Sequence, residues 1–173
     1  MMQMLAAGGM PVLTDGVRVP DLDNPRGYLE FEAVKQTRTD SSWVAAAVGK
    51  AVKMVYLLLP DLPAAYHYRV ILMQRDMREV LASQRAMLLH SGRKGAGLSD
   101  EQMADIFDRQ IRRMRAWLES RHNFEVITVD YHDCLRVPSA VAGNVNAFLG
   151  GDLGELPMAA IADPSLYRQV RIH

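Results

Sequence analysis

The run "YRVILMQ" at residues 68–74 constrains the fold of this chain more than any other segment. Residues 70–73 are continuously apolar, which predicts a strand buried on both faces, as in a parallel sheet covered by helices. A helix pattern begins directly afterwards, with Asp76 placed to cap it and Glu79 placed to complete a capping box. The junction therefore predicts one strand-to-helix unit of an α/β fold.

The other segments extend this pattern along the chain. A second strand is predicted from "FEVITV" at residues 124–129 and a third from "AVKMVYLLL" at residues 51–59. Further helices are predicted from "MMQMLAA" stopped by Gly8–Gly9, from residues 30–39 and 41–50, from the Ser99–Gln102 capping box, and from Pro138 to Gly150–Gly151. Because no internal repeat or linker interrupts it, the sequence predicts a single α/β domain over residues 1–173, with a mostly parallel sheet flanked by helices.

The composition limits the classes of function. The 20 basic and 20 acidic side chains cancel, which argues against a general nucleic-acid binder. The single cysteine, Cys134, excludes an internal disulfide framework and fits a reducing cytosol. No apolar run approaches the ~20 residues of a membrane span, and no signal-peptide pattern is present. We therefore expect a cytoplasmic protein without membrane contact. No histidine has metal-ligand spacing, so no metal is expected.

Arg75 and Ser83 are the first candidate binding residues. Ligands of open α/β sheets bind at the carboxyl ends of the strands, where Arg75 stands. An arginine beside a helix N-terminus can hold an anion, and Ser83, two turns into the helix, could meet the same phosphate. In the other interpretation Arg75 pairs with a carboxylate at the sheet edge and Ser83 is a tolerated small helix residue. Spacing alone favours this second interpretation.

Three segments, taken in order, resemble one family. "DNPRGYLEFEAVK" at residues 23–35, "RDMREVLAS" at 75–83 and "EVITVDYHDCLRVPSAVAGNVNAFLG" at 125–150 are similar to bacterial members of the sulfotransferase superfamily. The donor of that family is 3′-phosphoadenosine 5′-phosphosulfate. The resemblance implies a P-loop-NTPase-like fold and a small-molecule or glycan hydroxyl acceptor. It also implies that Arg75 and Ser83 hold the donor's 3′-phosphate and that Tyr131 lies near the adenine.

The resemblance also suggests catalytic candidates. Glu30 or Glu32 would match a base for the acceptor hydroxyl, and Lys53 would steady the sulfuryl group. Each has a plain alternative, since the glutamates could be surface carboxylates and Lys53 could extend to the sheet edge. Val55 stands where some members carry a histidine. The glycine-rich basic run at residues 92–97 follows a helix and not a strand, so we expect a solvated loop there.

One part of the family pattern lies outside this sequence. "MMQMLAAGGM" resembles the helix that follows the family's phosphosulfate loop, so we expect the chain to lack the first strand and that loop. The expected function is sulfuryl transfer to a hydroxyl group; alternatively, the chain is a catalytically inactive fragment or a nucleotide-binding module. A phosphate-loop kinase would need a Walker lysine that the sequence does not show. If the first strand is missing, its neighbours expose unpaired edges, and such edges favour pairing with another chain. We therefore expect self-association.

Overall fold

The computed structural model describes residues 1–21, 24, 26–90 and 97–163, with backbone alone at 86, 87, 89 and 90. The predicted loop at residues 92–97 therefore lies almost entirely outside the described residues. The helices are α1 (Met2–Ala7), α2 (Met77–His90), α3 (Asp100–Glu119), α4 (Tyr131–Arg136), α5 (Pro138–Leu149) and α6 (Glu155–Ala160). The strands are β1 (Tyr68–Gln74) and β2 (Phe124–Asp130). Short 3-10 helices span Glu32–Gln36, Ser42–Ala47 and Tyr56–Asp61.

The two strands form a small parallel sheet. Their register runs from Tyr68 opposite Phe124 to Gln74 opposite Asp130. Parallel neighbours need a long connection, which here contains α2 and α3. The α/β class and the parallel pairing are thus confirmed. Because both strands end at the same edge, Arg75 and Tyr131 are each the first residue beyond it.

Helices cover both faces of the sheet. Side chains alternate between the faces of a strand, and Val70 and Phe124 pack against Met114 and Leu118 of α3. The opposite face carries Ile71, Ile127 and Val129, which join a larger core with residues of α1, α4, α5 and α6. The sheet therefore lies between α3 on one face and α1, α4, α5 and α6 on the other.

The predicted burial of β1 on both faces is only partial. None of its seven residues is fully buried, and Met73 keeps 38% of its surface exposed. The reason is that, within the described part of the chain, each strand has only one hydrogen-bonded neighbour. A two-stranded sheet cannot cover its own edges.

The predicted strand at residues 51–59 is also wrong. Ala51 makes only an isolated parallel bridge with Val12, and the segment then turns into the 3-10 helix Tyr56–Asp61. Pro60 lies inside this 3-10 helix, and proline has no backbone N–H to donate to a strand ladder. The neighbouring Leu59 packs against Met114 and Leu118 of α3. The helices predicted from residues 30–39 and 41–50 are shorter than expected and are 3-10 helices, at Glu32–Gln36 and Ser42–Ala47.

The strongest helix signals are confirmed. Ser99 Oγ accepts a hydrogen bond from the Gln102 backbone N–H, and the Gln102 side chain accepts from the Ser99 N–H, which completes the capping box of α3. Pro138 is the first residue of α5, and Gly150, with φ of 120°, ends it. No helix in the described ranges combines the length and apolar character needed to cross a membrane.

Candidate functional site

Arg75 and Tyr131 meet at the carboxyl edge of the sheet. The last register pair, Gln74 and Asp130, places them side by side. The Arg75 guanidinium carbon lies 4.6 Å from the centroid of the Tyr131 ring, within the range of a cation–π contact. Two of the residues assigned to donor binding by the resemblance are therefore in contact.

A nearly buried carboxylate, Glu79, anchors this pair. Arg75 Nε donates to Glu79 Oε2 at 2.9 Å, and His132 Nε2 lies 3.1 Å from the same oxygen. An ionised carboxylate only accepts hydrogen bonds, so this contact is a hydrogen bond in the His132 tautomer that carries its proton on Nε2. The Glu79 side chain is only 8% exposed. We name Arg75, Glu79, Tyr131 and His132 the edge cluster.

The position of Tyr131 and His132 is set by a local cap. Asp130, the last residue of β2, accepts a hydrogen bond from the His132 backbone N–H at 2.7 Å. Such a cap lets a helix begin at once after a strand, so α4 starts at Tyr131. Asp76 does the same beside β1, where its carboxylate accepts from the Arg78 N–H at 2.8 Å.

Ser83 belongs to the same helix face as Glu79. The two residues are four apart in α2, and residues at this spacing are neighbours on a helix surface. Ser83 is half-buried and lies one turn further from the sheet edge than Glu79. Helix geometry thus places Ser83 on the same face of α2 as Glu79, the residue that Arg75 contacts from outside the helix.

Glu30 and Lys53 are brought together in a second group. Lys53 Nζ lies 3.0 Å from Glu30 Oε1, and Arg18 approaches the same carboxylate at 3.4 Å. Partial burial acts to raise the pKa of Glu30, but the hydrogen bond and charge of Lys53 and the charge of Arg18 outweigh it and lower the pKa below its ordinary value. Glu30 is therefore held ionised and is a weak base.

Tyr28 organises this second group. The Arg18 guanidinium carbon lies 3.3 Å above its ring centroid, and the Tyr28 hydroxyl donates to the Asp21 carboxylate at 2.8 Å. Burial raises the pKa of Tyr28. The next residue, Leu29, has a φ of 48°, a conformation that is uncommon outside glycine. We name Arg18, Tyr28, Glu30 and Lys53 the Tyr28 cluster.

Glu32 stands apart from Lys53. Its carboxylate pairs with Lys35 at 2.6 Å and is 38% exposed. Its backbone N–H donates to Asp15 Oδ2 at 2.6 Å, which fixes the start of the 3-10 helix. The two glutamates proposed as bases thus have different surroundings, one in the Tyr28 cluster and one in a surface ion pair.

Four residues of these clusters were not expected from the sequence as site residues. Glu79 was predicted only as a cap, and His132 is separated from it by 53 residues. The separation of four residues between Arg75 and Glu79 is visible in the sequence, but Arg75 precedes α2, so the rule for ion pairs within a helix did not predict their contact. Arg18 and Tyr28 lie within residues 15–28, where two glycines and two prolines are typical of a loop. Sequence patterns do not define the geometry of such a loop.

Cys134 lies beside the edge cluster on α4 but is a packing residue. It is 5% exposed within the larger core. Burial raises the pKa of its thiol, so it is not activated as a nucleophile.

Searches against protein-family models, curated proteins and solved structures found no significant match to this chain.

Proposed function

We propose that this chain is a sulfotransferase-like domain, with a P-loop-NTPase-like sheet. It would transfer a sulfuryl group from 3′-phosphoadenosine 5′-phosphosulfate to a hydroxyl group of a small molecule or glycan. The observation that carries the proposal is the contact of Arg75 with Tyr131 at the shared carboxyl edge of two parallel strands. Open α/β sheets bind ligands at this edge, and the pair offers a cation and an aromatic face together.

The donor's 3′-phosphate would lie against Arg75 and Ser83. Arginine pairs with phosphate through a planar fork of N–H donors, and the Ser83 hydroxyl can add a further hydrogen bond. Tyr131 would lie near the adenine, where an aromatic ring can stack on a base. The Glu79 carboxylate offsets part of the Arg75 charge, so recognition would depend on directed hydrogen bonds as well as on net charge.

The transfer step requires an acceptor, a base and a cation. The acceptor oxygen would attack sulfur, the bond from sulfur to the 5′-phosphate oxygen would break, and the acceptor proton would pass to the base. Glu30 or Glu32 would be that base, and Lys53 would steady the sulfuryl group. Adenosine 3′,5′-bisphosphate and the sulfated acceptor would leave.

A second candidate is a nucleotide-binding module without transferase activity. It is favoured by Glu30, whose lowered pKa makes it a weak proton acceptor. Glu32, the other candidate base, is occupied in a surface ion pair with Lys35. Both candidates use the same edge cluster, and they differ only in whether sulfuryl transfer follows binding. A cytoplasmic location is part of both, because Cys134 is a free thiol.

Binding is tested by calorimetric titration with adenosine 3′,5′-bisphosphate. Arg75→Ala and Arg75→Lys are expected to weaken affinity at least about tenfold, since neither offers the guanidinium fork. Arg78→Ala is the matched control, because it removes the same charge from the start of α2 at a side chain that is 89% exposed. Equal affinity in Arg75→Lys and the parent would reject the site.

Transfer is tested with a labelled sulfuryl donor and a panel of phenols, alcohols and glycans. Turnover above the background without protein would reject the binding module, and loss of that turnover in Glu30→Gln or Glu32→Gln would identify the base. Nucleotide affinity without any transfer across the panel would reject the transferase.

A further inference from the structure

One oxygen of Glu79 joins two parts of the edge cluster. Glu79 Oε2 accepts from Arg75 Nε at 2.9 Å and lies 3.1 Å from His132 Nε2. The Glu79 side chain is 8% exposed, while the side chains of Arg75 and His132 are 24% and 35% exposed. A carboxylate this far from water costs desolvation free energy unless charged or hydrogen-bonding partners compensate it.

The Nε contact fixes the plane of the Arg75 side chain. Arginine has a long, flexible stem, and a hydrogen bond donated by Nε–H orients the rigid guanidinium group. In this orientation the group lies over the Tyr131 ring, 4.6 Å from its centroid.

We propose that Glu79 is a positioning residue for the anion-binding role of Arg75, and that His132 holds the Glu79 carboxylate in place. This inference rests on the proposed function, because the anion it concerns is the 3′-phosphate of an adenosine nucleotide. Glu79 does not touch that phosphate. It determines where the Arg75 fork points.

A carboxylate that merely lay near the site would have the opposite effect. Like charges repel, so an unspecific negative charge beside a bound phosphate weakens binding, and its removal strengthens binding. Removal of a positioning carboxylate weakens binding, because Arg75 must then be ordered by the ligand itself. The sign of the change in affinity therefore separates the two roles.

The experiment compares Glu79→Gln and Glu79→Ala with the parent protein, using calorimetry with adenosine 3′,5′-bisphosphate and with adenosine 5′-monophosphate. Glu79→Gln keeps the shape and an acceptor oxygen for Arg75 Nε, but it removes the negative charge, so the hydrogen bond keeps only its cationic donor and is weaker than the ion pair. We expect the bisphosphate affinity to fall about threefold in Glu79→Gln and about tenfold in Glu79→Ala. The monophosphate, which has no 3′-phosphate, is expected to bind all three proteins equally.

Two further variants sharpen the comparison. Glu125→Gln makes the same charge change on β2, near the opposite end of the sheet, at a side chain that is 63% exposed; its affinity should equal that of the parent. His132→Phe keeps a ring but removes the contact to Glu79, and it should weaken bisphosphate binding in the same direction as Glu79→Gln. If Glu79→Ala does not fold, Glu79→Gln alone decides the sign.

The outcomes are distinct. Arg75-dependent binding that is unchanged or tighter in Glu79→Gln overturns the positioning role and leaves the proposed function standing. Absence of bisphosphate binding by the parent protein rejects the proposed function and the positioning role together. Weaker bisphosphate binding with unchanged monophosphate binding supports both.

Discussion

Glu79 precedes His132 by 53 residues in the chain and lies 3.1 Å from it in the fold. One residue belongs to α2, which follows β1, and the other to α4, which follows β2. Their contact links the two segments that leave the carboxyl edge of the sheet. The edge cluster therefore connects α2 to α4 in addition to being a candidate binding site. We expect substitutions of its residues to change stability as well as affinity.

Arg75→Ala is expected to destabilise the fold by about 2 kcal/mol, because it leaves the nearly buried Glu79 carboxylate with one charged partner fewer. Urea unfolding gives the change in the free energy of unfolding. The double variant Arg75→Ala/Glu79→Gln should be less destabilised than the sum of the two single variants, since it removes both charges. Additive effects would show that the two side chains are not coupled.

Glu30 is expected to make stability depend on pH in the acid range. Its pKa in the folded protein is lowered below the ordinary value of 4.5. Its stabilising contribution is thus complete above that value and is lost as the pH falls through the folded pKa. Parent and Glu30→Gln should therefore differ in unfolding free energy at pH 7 and converge in strong acid. Lys53→Met should raise the pKa of Glu30, which a carbon-detected titration of its carboxyl group measures; an unmoved pKa would contradict the pairing.

Cys134 should react slowly with thiol reagents in the native protein. It is 5% exposed, and burial raises the pKa of its thiol, so little thiolate is present at neutral pH. We expect the rate of modification by a chromogenic disulfide to be about a hundredfold lower than in denaturant. Fast labelling of the folded chain would show that the core around α4 opens readily.

Ser99→Ala should cost about 1 kcal/mol of stability, because it removes the side-chain cap of α3. Ser120→Ala is a suitable control at the other end of that helix, where the hydroxyl donates to the Trp117 carbonyl at 2.6 Å. Only Ser99→Ala removes a hydrogen bond to a backbone N–H, that of Gln102, which has no partner within the helix. Equal effects of the two substitutions on the urea midpoint would argue against a specific capping contribution.

The sheet is expected to promote self-association. In the described residues each strand has one neighbour, and Val126 is 40% exposed. Unpaired edges and apolar strand residues favour intermolecular pairing, which lysine opposes. Sedimentation should show concentration-dependent association that Val126→Lys reduces. Leu156→Lys, at an 84% exposed site on α6, should not change it, and a parent protein that stays monomeric at all concentrations would refute the expectation.

Helices whose ends are marked by capping residues, proline or glycine could be predicted from the sequence. The Ser99–Gln102 box and the Pro138 to Gly150 interval fix their helices within a few residues, and both are confirmed. The segment at residues 51–59 failed because its single bridge partner, Val12, is distant in sequence, and an apolar run does not reveal whether a partner strand exists. Arg75 and Tyr131 could be placed at one edge because parallel topology implies it. The Glu79–His132 contact could not, since it depends on the register of two strands and on side-chain conformations.

The register that ends at Gln74 and Asp130 has a consequence for variation in length. Strand pairing, and not the length of the chain between β1 and β2, sets the distance between Arg75 and Tyr131. A single deletion inside β1 would instead reverse the side-chain alternation ahead of Arg75 and move its neighbours to the opposite face. The edge cluster is therefore sensitive to changes of length within the two strands, α2 and α4, which carry or position its residues.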